Sequence, residues 1–152
     1  GRSMYFKQLL LPQGPECGAG ANPFMQVLRR RFLDVVQPSL VPPEVLSRPP
    51  RYITLAVRTG TRRLSNQLEL IGRLRSTYGE GLVHEFTGIT KDTMRSVLTL
   101  LAETRVLIGP HGAGLTSLLF LARNGSLLEL RPTYYGSRKG IRSFEHLGMH
   151  AS

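Results

Sequence analysis

From residue 51 onward, short apolar runs of strand length alternate with longer stretches of helical spacing. No other feature constrains the fold as tightly. The first run, YITLAV at 52–57, is continuously apolar or β-branched, as expected of a strand covered on both faces. GLVHEF (81–86), RVLIG (105–109) and SLLELR (126–131) read as three further strands. Between them, 66–78 is expected to be a helix with an apolar stripe at Leu64, Leu68, Ile71 and Leu74. The spacing of Met94, Val97, Leu98 and Leu101 predicts a helix over 92–103, and 114–122 reads as a third. Strands that alternate with helices in this way call for βαβ units and a parallel sheet.

The expected fold class is therefore α/β, a Rossmann-like parallel sheet flanked by helices. Ligands of such sheets sit at the carboxyl ends of the strands, which fall here at 58–64, 86–92, 109–115 and 131–135. Upstream, 5–12 reads as a strand. Asn22 as N-cap and Pro23 in the first turn open a helix over 23–36, whose Arg29, Arg30 and Arg31 read as a solvated basic face. Residues 37–50, QPSLVPPEVLSRPP, hold half of the ten prolines and no periodicity, so an extended linker is expected there. The organisation is thus a partial flank at 1–36, a proline-rich linker at 37–50, the sheet region at 51–132 and a truncated tail at 133–152. A chain of 152 residues can bury roughly 68–70% of its unfolded surface without a metal or disulfide. Its first residue is Gly1 and its last are HLGMHAS, which reads as a piece of something longer.

The formal net charge is +10, and 17 of the 20 basic residues are arginine, a balance that favours anionic partners. A basic nucleic-acid-binding module without enzyme activity is the alternative this supports. The arginines are scattered, however, and aromatic residues do not interleave with them for base stacking, so nucleic acid is not the expected partner. The single Cys17 cannot form an internal disulfide. No apolar stretch reaches the roughly 18 residues of a membrane span, and no signal peptide is present. His146 and His150 are spaced i, i+4 but lack a zinc motif's Glu or Cys, so no metal site is expected.

Two stretches carry chemistry. In VLIGPHGAGLTSLLFL (106–121), a turn with His111, Gly112, Ala113 and Gly114 follows a buried strand and opens a helix. Its glycines permit close backbone approach, and the N–H groups of Ala113 to Thr116 with the helix dipole form an anion site, suited to phosphate. His111 either donates to that phosphate or holds the turn. A hydrolase oxyanion turn is disfavoured because no Gly-x-Ser-x-Gly elbow occurs. In RTGTRRLSNQLEL (58–70), Arg58, Arg62 and Arg63 offer guanidinium forks that bind phosphate bidentately. The carboxylates are Glu85, Asp92, Glu103 and Glu129; Asp92 reads as a helix N-cap, and Glu129 as an acceptor for ribose hydroxyls or backbone amides. Asn124-Gly125-Ser126 matches a glycosylation acceptor, and Asn-Gly is equally a plain turn.

Taken together, 58–70 and 106–132 resemble glycosyltransferase family 61, clearly over 51–132 and loosely in the flanks. The resemblance implies an inverting, nucleotide-sugar-dependent transferase of two Rossmann-like domains (GT-B-type), with this chain holding most of the donor half. It implies a donor, most simply a UDP-sugar, and a glycan or glycoprotein hydroxyl as acceptor. It also implies a secretory-pathway setting in the Golgi or endoplasmic reticulum lumen, with membrane attachment only through an N-terminal anchor outside this chain. Arg58, Arg62 and Asn66 occupy the family's Arg-rich motif, and His111, Gly112, Ala113 and Gly114 its His-Gly-Ala-Gly turn, with Thr116 just beyond. Glu129 matches the acidic residue of its last strand end, whereas Ser117 stands where the family commonly carries Asn. No cofactor and no metal is expected, since fixed arginines and helix N–H groups can stabilise a departing diphosphate. The catalytic base is not identified, with His111 as its candidate.

Overall fold

The structure, a computed structural model, describes residues 23–60 and 63–131. The expected strand at 5–12 and the tail at 133–152 lie outside the described residues, as do Thr61, Arg62 and Cys17.

Four strands form one parallel sheet: β1 (Tyr52–Ala56), β2 (Val83–Phe86), β3 (Thr104–Pro110) and β4 (Ser126–Leu130), in the order β2-β1-β3-β4. The α/β, Rossmann-like expectation holds. From β1 the chain moves to one side to make β2, then crosses back over β1 to make β3 and β4. The two directions put covering elements on opposite faces. On one face lies the helix between β1 and β2, Gln67–Tyr78, whose Ile71 packs with Leu55 of β1 and Ile108 of β3. On the other lie the helix Met94–Ala102 and the 3-10 helix Ala113–Phe120, whose Val97, Leu101, Leu115 and Leu118 enclose Ala56 and Leu107. Successive residues 55/56 and 107/108 thus face opposite cores, which is why these strands read as continuous apolar runs.

The predicted stripe on Gln67–Tyr78 is displaced. Leu68 is 83% exposed, while Leu70, Ile71 and Leu74 make the contacts. Asp92 is not the cap of the following helix; Thr93 holds that position and shares hydrogen bonds with Thr90. The stretch read as an α-helix at 114–122 is a 3-10 helix from Ala113 to Phe120. Its buried leucines explain the tighter winding: Leu115, Leu118 and the following Leu121 recur every third residue, and a three-residue turn aligns them along one ridge facing the core.

The proline-rich segment is the larger departure. Helix Pro23–Arg31 continues through a π-helical turn, Phe32–Val36, into Gln37–Leu40, and a further single turn spans Pro43–Leu46. Pro38 cannot donate to the carbonyl four residues before it, and the widened turn directly upstream accommodates that loss. Val41 and Val45, buried to 1% and 7% exposure, pack against Leu98 and Ala102, so the segment is a third layer on the sheet's outer helix and not an extended linker. Nor is the Arg29–Arg31 triplet wholly solvated. Arg29 is buried and donates through Nη2 to the carbonyls of Leu121 (3.1 Å) and Ala122 (3.4 Å), tying this layer to the end of the 3-10 helix. Desolvation, and secondarily the like charge of Arg123, lowers its pKa from the usual arginine range.

Candidate functional site

In a parallel sheet whose strand order reverses, the crevice for a ligand lies beyond the carboxyl ends of the two strands that flank the reversal. Those strands are β1 and β3. At that point a cleft of about 300 Å³ opens, lined by the exits of β1 (Ala56 to Gly60), β2 (Phe86 to Gly88) and β3 (Pro110), with Gly114 and Leu115 of the 3-10 helix. The Val57 N–H donates to the Phe86 carbonyl at 2.8 Å and prolongs the β1/β2 pairing, so that Arg58 and Thr87 leave the sheet side by side.

Arg58 is the one charged side chain among the described residues that line the cleft. Its Nη1 is buried and has no hydrogen-bond partner among them. A buried donor on a permanent cation is costly to leave unpaired, so this atom marks where an acceptor from outside the protein is wanted. Gly114 also lines the cleft, and a Cβ there would meet no protein atom within 4 Å.

The turn that forms the cleft's far wall is built from two glycine requirements. Gly112 has φ 147°, a region that favours glycine, and it turns the chain from β3 into the 3-10 helix. Gly109 lies on β3, where an added Cβ would come within 2.7 Å of Leu115 Cδ2 and 3.0 Å of the Ala56 Cβ. Its missing side chain lets the 3-10 helix settle onto β1 and β3. The Leu115 N–H already bonds the Gly112 carbonyl (2.9 Å), so the N–H groups ahead of the helical ladder are those of Ala113 and Gly114. The anion site expected over four residues is thereby narrowed to two, because a 3-10 ladder takes up donors one residue earlier than an α-helical one. Ser117, buried at 3% exposure, donates its hydroxyl to the Gly114 carbonyl (2.8 Å) and pins this first turn.

His111 and Glu129 are brought together, but beside the cleft and not in it. The His111 N–H continues the β3/β4 pairing by donating to the Leu130 carbonyl (2.9 Å). Its ring Nδ1 meets Glu129 Oε1 at 2.5 Å, and Glu129 Oε2 accepts from Arg131 Nε at 2.7 Å. Both side chains of the pair are nearly buried, at 12% and 9% exposure. The carboxylate read as a ribose acceptor thus has each of its oxygens engaged by this chain, and the histidine ring is held against β4.

The other expected residues stay apart. Asn66 caps helix Gln67–Tyr78 by position, with no side-chain cap bond, and it is exposed; Thr116 is exposed, and neither lines the cleft. Arg62 lies outside the described residues, and Arg63 is exposed. Of the carboxylates, Glu85 pairs with Arg75 (3.2 Å), and buried Glu103 pairs with Arg51 (3.4 Å) and Arg48 (3.7 Å). Thr87 and Gly88 were not among the expected site residues although they line the cleft. The only sequence signal for them is their place in the 86–92 strand exit, where ligands of such a sheet sit; the positive φ of Gly88, 144°, is seen only in the fold.

Among the described residues, no three of His, Cys, Asp and Glu gather into a group that could hold a metal ion. No helix among them is long and apolar enough to cross a membrane. No curated protein matches the chain. A family profile does, over residues 3–128, a span that takes in the Arg58 strand end, the cleft and the histidine turn. That match covers most of the 152 residues and agrees with the parallel sheet, and the chain belongs to the glycosyltransferase 61 family.

Proposed function

We propose that the chain is the donor-binding part of an inverting, metal-independent transferase of GT-B type, which moves a sugar from a nucleotide-sugar, a UDP-sugar, to a hydroxyl of a glycan or protein in the secretory pathway. The single observation that carries the donor assignment is Arg58, which lines the switch-point cleft and whose buried Nη1 has no hydrogen-bond partner among the described residues. Family membership supports glycosyl transfer in general.

In this reading the diphosphate lies between Arg58 and the leading N–H groups of Ala113 and Gly114, with Arg62, four residues further along the same motif, as a second cation. The acceptor hydroxyl oxygen bonds to the anomeric carbon as the bond from that carbon to the diphosphate oxygen breaks, the diphosphate leaving with that electron pair, and the hydroxyl proton passes to a general base that is not among the described residues lining the cleft. Negative charge then grows on the departing phosphate. A guanidinium and two amides fixed in advance meet that charge without reorganising, and one such donor is worth about 2.7–4 kcal/mol of barrier. Gly114 leaves room for the phosphate oxygens to approach the backbone. His111, held by Glu129, positions the turn that carries the amides.

Many of the other arginines already face carboxylates of the fold: Arg30 and Arg123 meet Asp34, Arg73 meets Glu69, and Arg75 meets Glu85. This weakens the nucleic-acid reading, which needs a continuous free basic surface. Calorimetric titration with UDP and UDP-sugars tests the donor site. Binding that is undiminished by chelator and lost in Arg58→Ala and Arg62→Ala is expected; heats equal to wild type in both variants reject the assignment.

A further inference from the structure

We propose that Asn124, in the turn between the 3-10 helix and β4, is an acceptor site for an N-linked glycan. The sequence pattern needs an asparagine amide, a middle residue other than proline and a hydroxyl two residues on. Of the three asparagines, Asn22 is followed by Pro23 and Phe24, and Asn66 by Gln67 and Leu68, so Asn124-Gly125-Ser126 alone fits.

The structure presents this triplet as a surface. Asn124 and Ser126 are both exposed. The backbone is what the fold holds: the Gly125 N–H donates to the Ala122 carbonyl (2.9 Å), and Arg105 Nη1 donates to the Asn124 carbonyl (3.2 Å). Neither the Asn124 amide nor the Ser126 hydroxyl is used by another described residue. The turn stands at the amino end of β4, and the donor cleft lies at the opposite, carboxyl end of the sheet, so a glycan here leaves the cleft open. It would also stand at the head of β4, which pairs only with β3 among the described strands and exposes Leu128 to 51%, an edge that a bulky polar group screens.

In the transfer, the Asn124 amide nitrogen bonds to C1 of the first sugar of a lipid-diphosphate-linked oligosaccharide. The bond from C1 to the diphosphate oxygen breaks, the lipid diphosphate leaves with that electron pair, and the amide nitrogen gives one proton to a base of the transferring enzyme. The inference rests on the secretory placement proposed above, and the test separates the two. The full chain is translated behind a cleavable secretory leader in the presence of microsomes, and protease protection establishes that it is lumenal. One mobility shift removed by peptide N-glycosidase is expected, absent in Asn124→Gln and Ser126→Ala and kept in Ser126→Thr. A protected, lumenal chain without that shift overturns the acceptor site. The secretory placement is tested apart from this, by locating the protein expressed from its own complete reading frame; a cytosolic location there rejects the placement and leaves the microsome result to decide the acceptor chemistry.

Discussion

The exit of β1 and the exits of β3 and β4 hold polar groups that the fold treats in opposite ways. At the exit of β1, Arg58 lines a cleft, and its buried Nη1 has no partner among the described residues. At the exits of β3 and β4, His111 and Arg131 converge on one carboxylate, Glu129, which both engage. The first arrangement is destabilising by itself, because a desolvated donor lacks its acceptor; the second is satisfied within the chain. The difference separates a group that waits for a ligand from a group that holds the wall beside it. Both belong to motifs that look equally functional in sequence.

Leu115 supports both ends, so its removal should have the largest effect. Leu115→Ala empties a side chain of 1% exposure that packs under the cleft, and a stability loss of about 2–5 kcal/mol is expected by denaturant unfolding. A loss below about 1 kcal/mol would mean that the 3-10 helix is not seated on the sheet as described.

Arg58→Ala comes next and should split binding from stability. Loss of a charge-assisted bond of about 1.5–3 kcal/mol corresponds to UDP affinity weaker by roughly 10- to 150-fold. Because the substitution removes an unpaired buried donor, the melting temperature of the free protein should hold or rise. A drop in melting temperature with unchanged affinity would reverse the roles assigned to the two strand ends.

Glu129→Gln should show the opposite split. Weakening the acceptor for His111 and Arg131 is expected to lower stability by about 1–3 kcal/mol, read by chemical denaturation, with UDP affinity changed by no more than about threefold. An affinity loss as large as that of Arg58→Ala would place Glu129 on the ligand and merge the two regions. The smallest effect is expected for Asn66→Ala, an exposed position without a side-chain cap bond: within about 0.5 kcal/mol in stability, and within about twofold in UDP affinity by titration. A tenfold loss there would restore Asn66 to the donor site.

Much of the sheet was legible because its strands are buried on both faces and so leave unbroken apolar runs such as YITLAV. Two segments were misread for local reasons. The prolines of 37–50 suggest an extended chain, yet Pro38 and Pro43 stand in the first turns of short helices, and Val41 and Val45 are buried by packing on Leu98 and Ala102. The stretch after Gly112 was read as α-helical because Leu115, Leu118 and Leu119 suit either helical period; packing onto Ala56 and Leu107 favours the three-residue one. At the site, sequence reading found Arg58 and the glycine turn but omitted Thr87 and Gly88, which carry no motif and matter only because β2 lies beside β1.

The sequence by itself determined the strands from 51 onward, the parallel character of the sheet and the clustering of arginine and glycine at strand exits, since these follow from local periodicity and residue chemistry. Only the tertiary structure decided which of those residues share a cleft. Strand order places the exit of β1 against that of β3, and the β3/β4 register places His111 against Glu129 across 18 positions of chain. Pairing and burial at that separation depend on how layers pack, and no local pattern encodes whether a buried charge ends with a partner or without one.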